Sequence, residues 1–177
     1  ARRGKAASAA ARLRALNSSV RVVVHAEAAT HASALALVAP YDVVVDACDN
    51  VGTRYLLNDA CVLAGKPLVS GAALGTDGTL TVWHHPRASR DGAGPCYRCV
   101  NPAPLRAEAA RRCADSGVVG PVPGAIGTLE ALEAIKLLAG LGAPLAGTML
   151  VFEALQTRFS RFRLAPRRAD CAVCGAA

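Results

Sequence analysis

YDVVVDACDNVGTRYLLNDACVLAGKPLVSGAA, residues 41–73, sets the fold class. Its first seven residues form a near-continuous apolar run, the pattern of a strand buried on both faces in a parallel sheet. The helix TRYLLNDACVLAG follows, beginning near Thr53 and stopping at Gly65, a residue suited to the left-handed turn that ends helices. KPLVSGAA then makes another strand. Strand, helix, strand at this spacing is the rhythm of an α/β protein.

The same alternation extends in both directions. Upstream, KAASAAARLRAL (5–16) is an alanine-rich helix, VRVVVHA (20–26) a β-branched strand, and ALALVAP a short helix closed by its proline. Downstream, TLTVWHH (79–85) is a further strand. Residues 86–123 carry little regular patterning, which is too long for an idle loop in one compact domain. An amphipathic helix then covers roughly 124–140, and TMLVFEAL with TRFSRFRL forms an antiparallel strand pair. The expected fold is Rossmann-like: a mostly parallel sheet with flanking helices and antiparallel strands at its C-terminal end.

The composition is that of a folded protein. The 177 residues are 53% hydrophobic with a mean hydropathy of +0.30, enough for one core and against a disordered chain. Glutamates and a lysine interrupt AIGTLEALEAIKLLAGLG, so it is no membrane span. The start, ARRGKAASAAARL, is rich in arginine and alanine like a transit peptide, but its pattern is read as an ordinary helix. A net charge of +7 suits an acidic partner or a nucleotide. With 4% aromatic residues there is no stacking platform for single strands, so direct nucleic-acid binding is not expected.

Two C-x-x-C pairs are the strongest chemical signal. Cys96 and Cys99 lie in GPCYRCV, Cys171 and Cys174 in DCAVCG. Each three-residue spacing turns both sulfurs toward one tetrahedral ion, as in zinc knuckles, whereas redox pairs or core thiols are the alternative reading. Four sulfurs leave no open position for water, which makes such a site structural. Cys48 and Cys61 are read as small hydrophobes. Cys113 follows two arginines in RRCADSGV, where positive charge favours the thiolate, and it is either a nucleophile or an inert loop residue.

Asp49 and Asn50 stand just past the carboxyl end of the strand over 41–47, the edge at which open α/β sheets bind ligands. There a carboxylate can hold Mg²⁺ on nucleotide phosphates and an amide can read a base or ribose; equally, either residue can cap the following helix. Arg54 and Lys5 carry the same two readings, a phosphate contact or an exposed basic residue.

In their order, DVVVDACDNVGTRYLLNDACVLAGKPLVSGAA, CYRC, CADSGVVG, TLEALEAIKLLAG and DCAVCG, these motifs resemble the ubiquitin-activating-enzyme-like adenylyltransferases. The resemblance is greatest to those serving molybdopterin synthase, the eukaryotic adenylyltransferase-sulfurtransferases first and the bacterial adenylyltransferases next. It implies an enzyme that adenylates the C-terminal glycine of a ubiquitin-like sulfur carrier protein and then transfers sulfur through a cysteine. The thiocarboxylate would serve molybdenum cofactor synthesis, thiolation of the tRNA wobble uridine, or both. It further implies that Lys5, Asp49 and Asn50 bind ATP, with Asp49 also meeting Mg²⁺; Arg54 joins them as the expected phosphate contact. Cys96, Cys99, Cys171 and Cys174 would hold Zn²⁺ in a knuckle built from 94–100 and 170–175, and Cys113 would be catalytic. A cysteine desulfurase or rhodanese-like protein as sulfur donor, a homodimer and a cytoplasmic location belong to the same expectation.

Three departures bear on it. The family's glycine-rich nucleotide loop, first strand-helix unit and phosphate-facing arginine would precede Lys5, so residues 1–177 read as the C-terminal two-thirds of one adenylation domain, inactive alone. Thr79 stands where the family has glutamine, and the C-terminal rhodanese-like domain is absent. A non-catalytic zinc-stabilised module that docks a ubiquitin-like protein, and a thiamin-pathway paralogue, are the competing readings.

Overall fold

The computed structural model of the protein describes residues 4–85, 94–103 and 117–175, in two units, Ala1–Thr30 and His31–Ala177. In the first, α1 (Lys5–Leu16) forms where expected, and Arg14 Nη2 donates to Val22 O at 2.8 Å. The expected strand VRVVVHA is instead irregular. A β-branched run becomes a strand only with a ladder partner, and none of the described residues of this unit supplies one.

The second unit contains α2 (Ala34–Val38), β1 (Val44–Asp46), α3 (Val51–Leu63), β2 (Leu68–Leu74), β3 (Asp77–Trp83), α4 (Tyr97–Val100), α5 (Pro121–Ala139), β4 (Thr148–Glu153) and β5 (Arg158–Arg163). Its five-stranded sheet runs in the order β1-β2-β3-β4-β5. β1 pairs parallel with β2, while the other three pairings are antiparallel. The sheet is therefore α/β but mixed, where a mostly parallel one was expected. The cause is local: only two residues, Gly75 and Thr76, separate β2 from β3, and a parallel crossover needs a dozen or more. β1 is shorter than the apolar run 41–47, and as the end strand it leaves Val45 45% exposed.

Helices cover both faces of the sheet. Alternate residues of β2 point to opposite sides: Leu68 packs with Ala34, Val38, Cys61 and Trp83 under α2 and α3, and Val69 with Leu80, Val82, Leu145 and Leu150 under α5. Helix ends follow the local chemistry. Gly65 and Gly140 adopt φ of +66° and +65° past α3 and α5, the left-handed turn that glycine enters without strain. α5 begins three residues before the patterned start, because Pro121 and Pro123 sit in its first turn, where no N–H is needed.

The packing face of α5 mixes apolar and acidic residues, where a simple amphipathic pattern would put only apolar ones. Val122, Ile126, Glu130 and Glu133 are buried, whereas Leu132, Ile135 and Leu138 are 50%, 55% and 62% exposed. Both glutamates have donors. Glu130 Oε1 accepts from Gly71 N at 2.8 Å; Glu133 accepts from Leu145 N at 2.8 Å and from Lys136 Nζ at 2.6 Å. The helix lies so close that a Cβ on Gly71 would come within 2.7 Å of Glu130 and Ile126 side-chain atoms.

Candidate functional site

β1 stops at Asp46, opposite Ser70, while β2 continues to Leu74. Beyond that point two side chains take the place of the missing strand at Gly71. Glu130 Oε1 receives its N–H, and Arg54 Nη2 donates to its carbonyl at 3.1 Å. Arg54 is anchored in turn on Asp46, which is fully buried. Its Nε donates to Asp46 Oδ2 at 3.0 Å, Ser70 Oγ donates to the same oxygen at 3.0 Å, and Cys48 N donates to Oδ1 at 3.0 Å. Burial works against the Arg54 charge, but Asp46, helped by Cys48 and Tyr97, more than restores it and raises its pKa. Burial also pushes the Glu130 carboxyl up, opposed by the Gly71 N–H; Asp46 adds to the rise and Arg54 relieves it.

Two adjoining clefts open at this strand end, as Asp49 and Asn50 suggested. The smaller, about 180 Å³, lies along Asp49, Asn50, Val51, Arg54 and residues 72–74 of β2. The larger, about 350 Å³, runs from Cys48 and Asp49 across Gly71 and Ala72 to Val118, Ile126 and Glu130. Asp49 is exposed and lines both. Asn50 has an extended backbone and caps α3, its Oδ1 accepting from Thr53 N at 2.8 Å. The capping reading therefore holds for Asn50, while the N-terminal pole of a thirteen-residue helix faces the smaller cleft and favours an anion there. Cys48, taken for a small hydrophobe, is a half-buried wall of both clefts. Burial, then the Asp46 hydrogen bond and charge, push its thiol up to about 12, so it stays protonated and a poor nucleophile near neutral pH.

The four paired cysteines converge. Cys96 precedes α4 as its N-cap and Cys99 lies within it, and Cys171 and Cys174 lie in the turn near the C-terminus. The sulfur separations are 3.9 Å for Cys96–Cys99, 3.7 Å for Cys96–Cys171 and 3.3 Å for Cys99–Cys174; all four lie within 4.8 Å of one another. A tetrahedral ion with metal–sulfur bonds of about 2.3 Å spaces its ligands about 3.8 Å apart, so this cluster fits a metal. Burial drives Cys96 upward and, with the Cys99 thiol, Cys174 to about 11. At Cys171 burial is outweighed by the N–H groups of Cys174 and Val173 and by neighbouring thiols, which lower it to about 7. Without a cation to share, the four sulfurs cannot all ionise, and a divalent ion removes that conflict.

α3 ties the two regions together. From this helix Asn58 Oδ1 accepts from Tyr97 N at 2.7 Å, and Asp59 takes both arms of Arg98 at 2.7 Å each. Tyr55 Oη donates to Asn101 O and Ala103 O, 2.9 Å from each. Lys5 opens α1 in the N-terminal unit, exposed, and Cys113 lies outside the described residues. Sequence reading missed Asp46 and Glu130. Asp46 was hidden at the end of an apolar run, and Glu130 in a helix whose glutamates pointed to solvent by pattern.

The fold as a whole is that of a family of known structures. E. coli MccB solved with ATP superposes with a TM-score of 0.78 at 17% identity, over 98% of this chain and 52% of that one. A model of the ThiF family matches residues 1–173, and the chain belongs to that family. The Mus musculus protein named adenylyltransferase and sulfurtransferase MOCS3 is 56% identical over 171 residues, 97% of this chain and 36% of the relative. Its Arabidopsis thaliana namesake is 49% identical over the same shares. The chain thus spans about a third of the length of these curated relatives. Among the described residues, no helix is long and apolar enough to cross a membrane.

Proposed function

We propose that this chain forms most of an ATP-dependent adenylation site for a ubiquitin-like sulfur carrier protein, completed by a nucleotide loop outside these residues. The observation that carries the reading is Asp49: an exposed carboxylate on the wall of both clefts, next to the N-terminal pole of α3. ATP phosphates take the smaller cleft, where the α3 pole and the Arg54 charge offset theirs. Arg54 acts from the wall, because Asp46 and the Gly71 carbonyl already hold two of its nitrogens. Lys5, in the same reading, adds a second positive charge. Asp49 would hold Mg²⁺, which would supply charge neutralisation at the phosphates. The larger cleft, lined by small and apolar residues and by Glu130, disfavours polyphosphate and suits the carrier's C-terminal peptide.

The chemistry follows from that division. The carrier's terminal carboxylate attacks the α-phosphorus, an oxygen–phosphorus bond forms, and pyrophosphate leaves with the electron pair of the broken bond. A thiolate at Cys113 then attacks the acyl carbon and AMP departs. Cys48 is unsuited to that step because its thiol is held protonated. A persulfide on a cysteine desulfurase or rhodanese-like donor attacks the acyl carbon with its outer sulfur, and Cys113 leaves as a thiolate; that thiolate then attacks the donor's inner sulfur, which releases the thiocarboxylate and leaves a Cys113–donor disulfide for a cellular dithiol to reduce. The thiocarboxylate serves molybdenum cofactor synthesis, wobble-uridine thiolation or both. Zinc is the ion we assign to the four cysteines, in a structural role. Exposed Phe159 and Phe162 between the arginines of β5 offer an apolar, basic surface to a protein substrate. A second copy covers the exposed leucine face of α5, and the protein works in the cytoplasm.

Replacing Cys113 separates the two halves of this mechanism. In a full-length protein carrying this chain, Cys113→Ala forms carrier adenylate at a near-normal rate but yields no thiocarboxylate. Mass spectrometry of the carrier after incubation with ATP and a sulfur donor distinguishes the two products. Full thiocarboxylate yield makes Cys113 a bystander, and failure of the unmodified protein to form adenylate leaves a non-catalytic carrier-binding module.

A further inference from the structure

We propose that Asn58 and Tyr97 are positioning residues through which an ion on the four cysteines governs the cleft: the ion fixes α4, α4 fixes α3, and α3 carries Arg54. The chain of contacts is continuous. Arg54 and Asn58 are four residues apart and so share one face of α3. At one end of that face Arg54 grips Asp46 and Gly71. At the other, Asn58, 1% exposed, accepts the first N–H of α4 at 2.7 Å, a donor with no partner inside its own helix. Asn58 Nδ2 is itself held by Asp59 Oδ1 at 3.0 Å, which fixes the amide's orientation.

Tyr97 is the central part of this joint. Its ring stands edge-on to Tyr55 at 4.9 Å and to Trp83 at 5.7 Å, inside the core cluster beneath α3. The neighbouring Arg98 clamps Asp59 with two 2.7 Å bonds and stacks over Tyr55 at 4.6 Å. In the tetrapeptide Cys96-Tyr97-Arg98-Cys99 the outer residues therefore bind the ion and the inner ones hold α3. A four-residue helix has no stability of its own. Without the ion its grip on α3 loosens, and a buried amide on the Arg54 face loses its donor. The knuckle thus does more than fasten the C-terminal turn.

Hydrogen exchange at the amides of residues 54–59, in a full-length protein carrying this chain, tests the coupling with and without removal of the ion by a chelator. Chelation is expected to raise that exchange at least tenfold and to weaken ATP binding. Asn58→Ala keeps one ion per chain by metal analysis, shows the raised exchange already, and gains less than twofold more on chelation, because the joint is broken. If Asn58→Ala fails to fold, Arg98→Ala on the clamp's rim replaces it, with about a threefold rise and a smaller response to chelation. The proposal is overturned by exchange that changes less than twofold when the ion leaves, or by a folded variant that responds as fully as the unmodified protein. The ATP measurement rests on the adenylation reading and the exchange measurement does not, so a protein that never binds ATP defeats that reading alone.

Discussion

Asp46 is fully buried, yet its two oxygens receive hydrogen bonds from Arg54, Ser70 and the Cys48 amide. Such a carboxylate is tolerable because the guanidinium, 17% exposed, neutralises it; removing one partner leaves the other's charge buried and unpaired. Asp46→Ala is therefore expected to destabilise the protein by ~3–5 kcal/mol, read from urea or thermal unfolding, and to release Arg54 from the wall of the smaller cleft. A loss below about 1 kcal/mol, the range of exposed pairs, would mean that Arg54 finds solvent instead. Residues at this scale were unevenly legible. Asp49 and Asn50 stood out because a polar pair past an apolar strand marks the ligand edge of an α/β sheet. The pattern left open whether Asp49 or Asn50 would cap α3, and nothing in it said that Asp46, four residues before Asn50, would be the buried anchor of Arg54. A carboxylate's partners come from β2 and α3, and long-range pairing leaves no local mark.

At the scale of elements, local signals did well where the chain decides its own conformation and poorly where a neighbour decides. The alanine-rich α1, the glycine stop of α3 and the β4–β5 hairpin were readable for the first reason. VRVVVHA was misread for the second, since strand formation depends on a ladder partner. α5 is the sharper case: periodicity found the helix but not its buried face, which is set by the Gly71 and Leu145 amides that Glu130 and Glu133 satisfy. Close approach of this helix depends on Gly71. Gly71→Ala places a Cβ against Glu130 and Ile126, forcing α5 outward, and is expected to cost about 1–3 kcal/mol and to reshape the larger cleft that both line. Unfolding midpoints together with the KM for the carrier check this, with unchanged stability contradicting the packing. The knuckle makes a compositional prediction. Metal analysis is expected to find one zinc per chain, and chelation to free the 170–175 turn from the 94–100 segment. A purified protein without metal, ordered in both segments, would remove the assignment.

Over the whole molecule, the mixed sheet divides the labour. The loop after β1, α3 and the end of β2 wall the smaller cleft; β3 to β5 extend the sheet antiparallel and give α5 its seat, while α4 and the C-terminal turn close the four-cysteine cluster against α3. The order of motifs along the chain was enough to see this class of protein, because strand, helix, strand, paired cysteines and a long helix each have a local signature. What holds the parts in contact, the polar network of Asp46, Arg54, Asn58 and Glu130, has none. In the proposed function, the cleft beside Asp49 is where a carrier carboxylate meets ATP. Carrier-dependent exchange of labelled pyrophosphate into ATP measures that step alone, because it needs no thiol and no sulfur donor. A full-length protein carrying this chain is predicted to catalyse the exchange, and Asp49→Ala to lower it at least a hundredfold with the fold intact. Exchange retained by that variant, or absent from the unmodified protein in the presence of its carrier, would contradict the account.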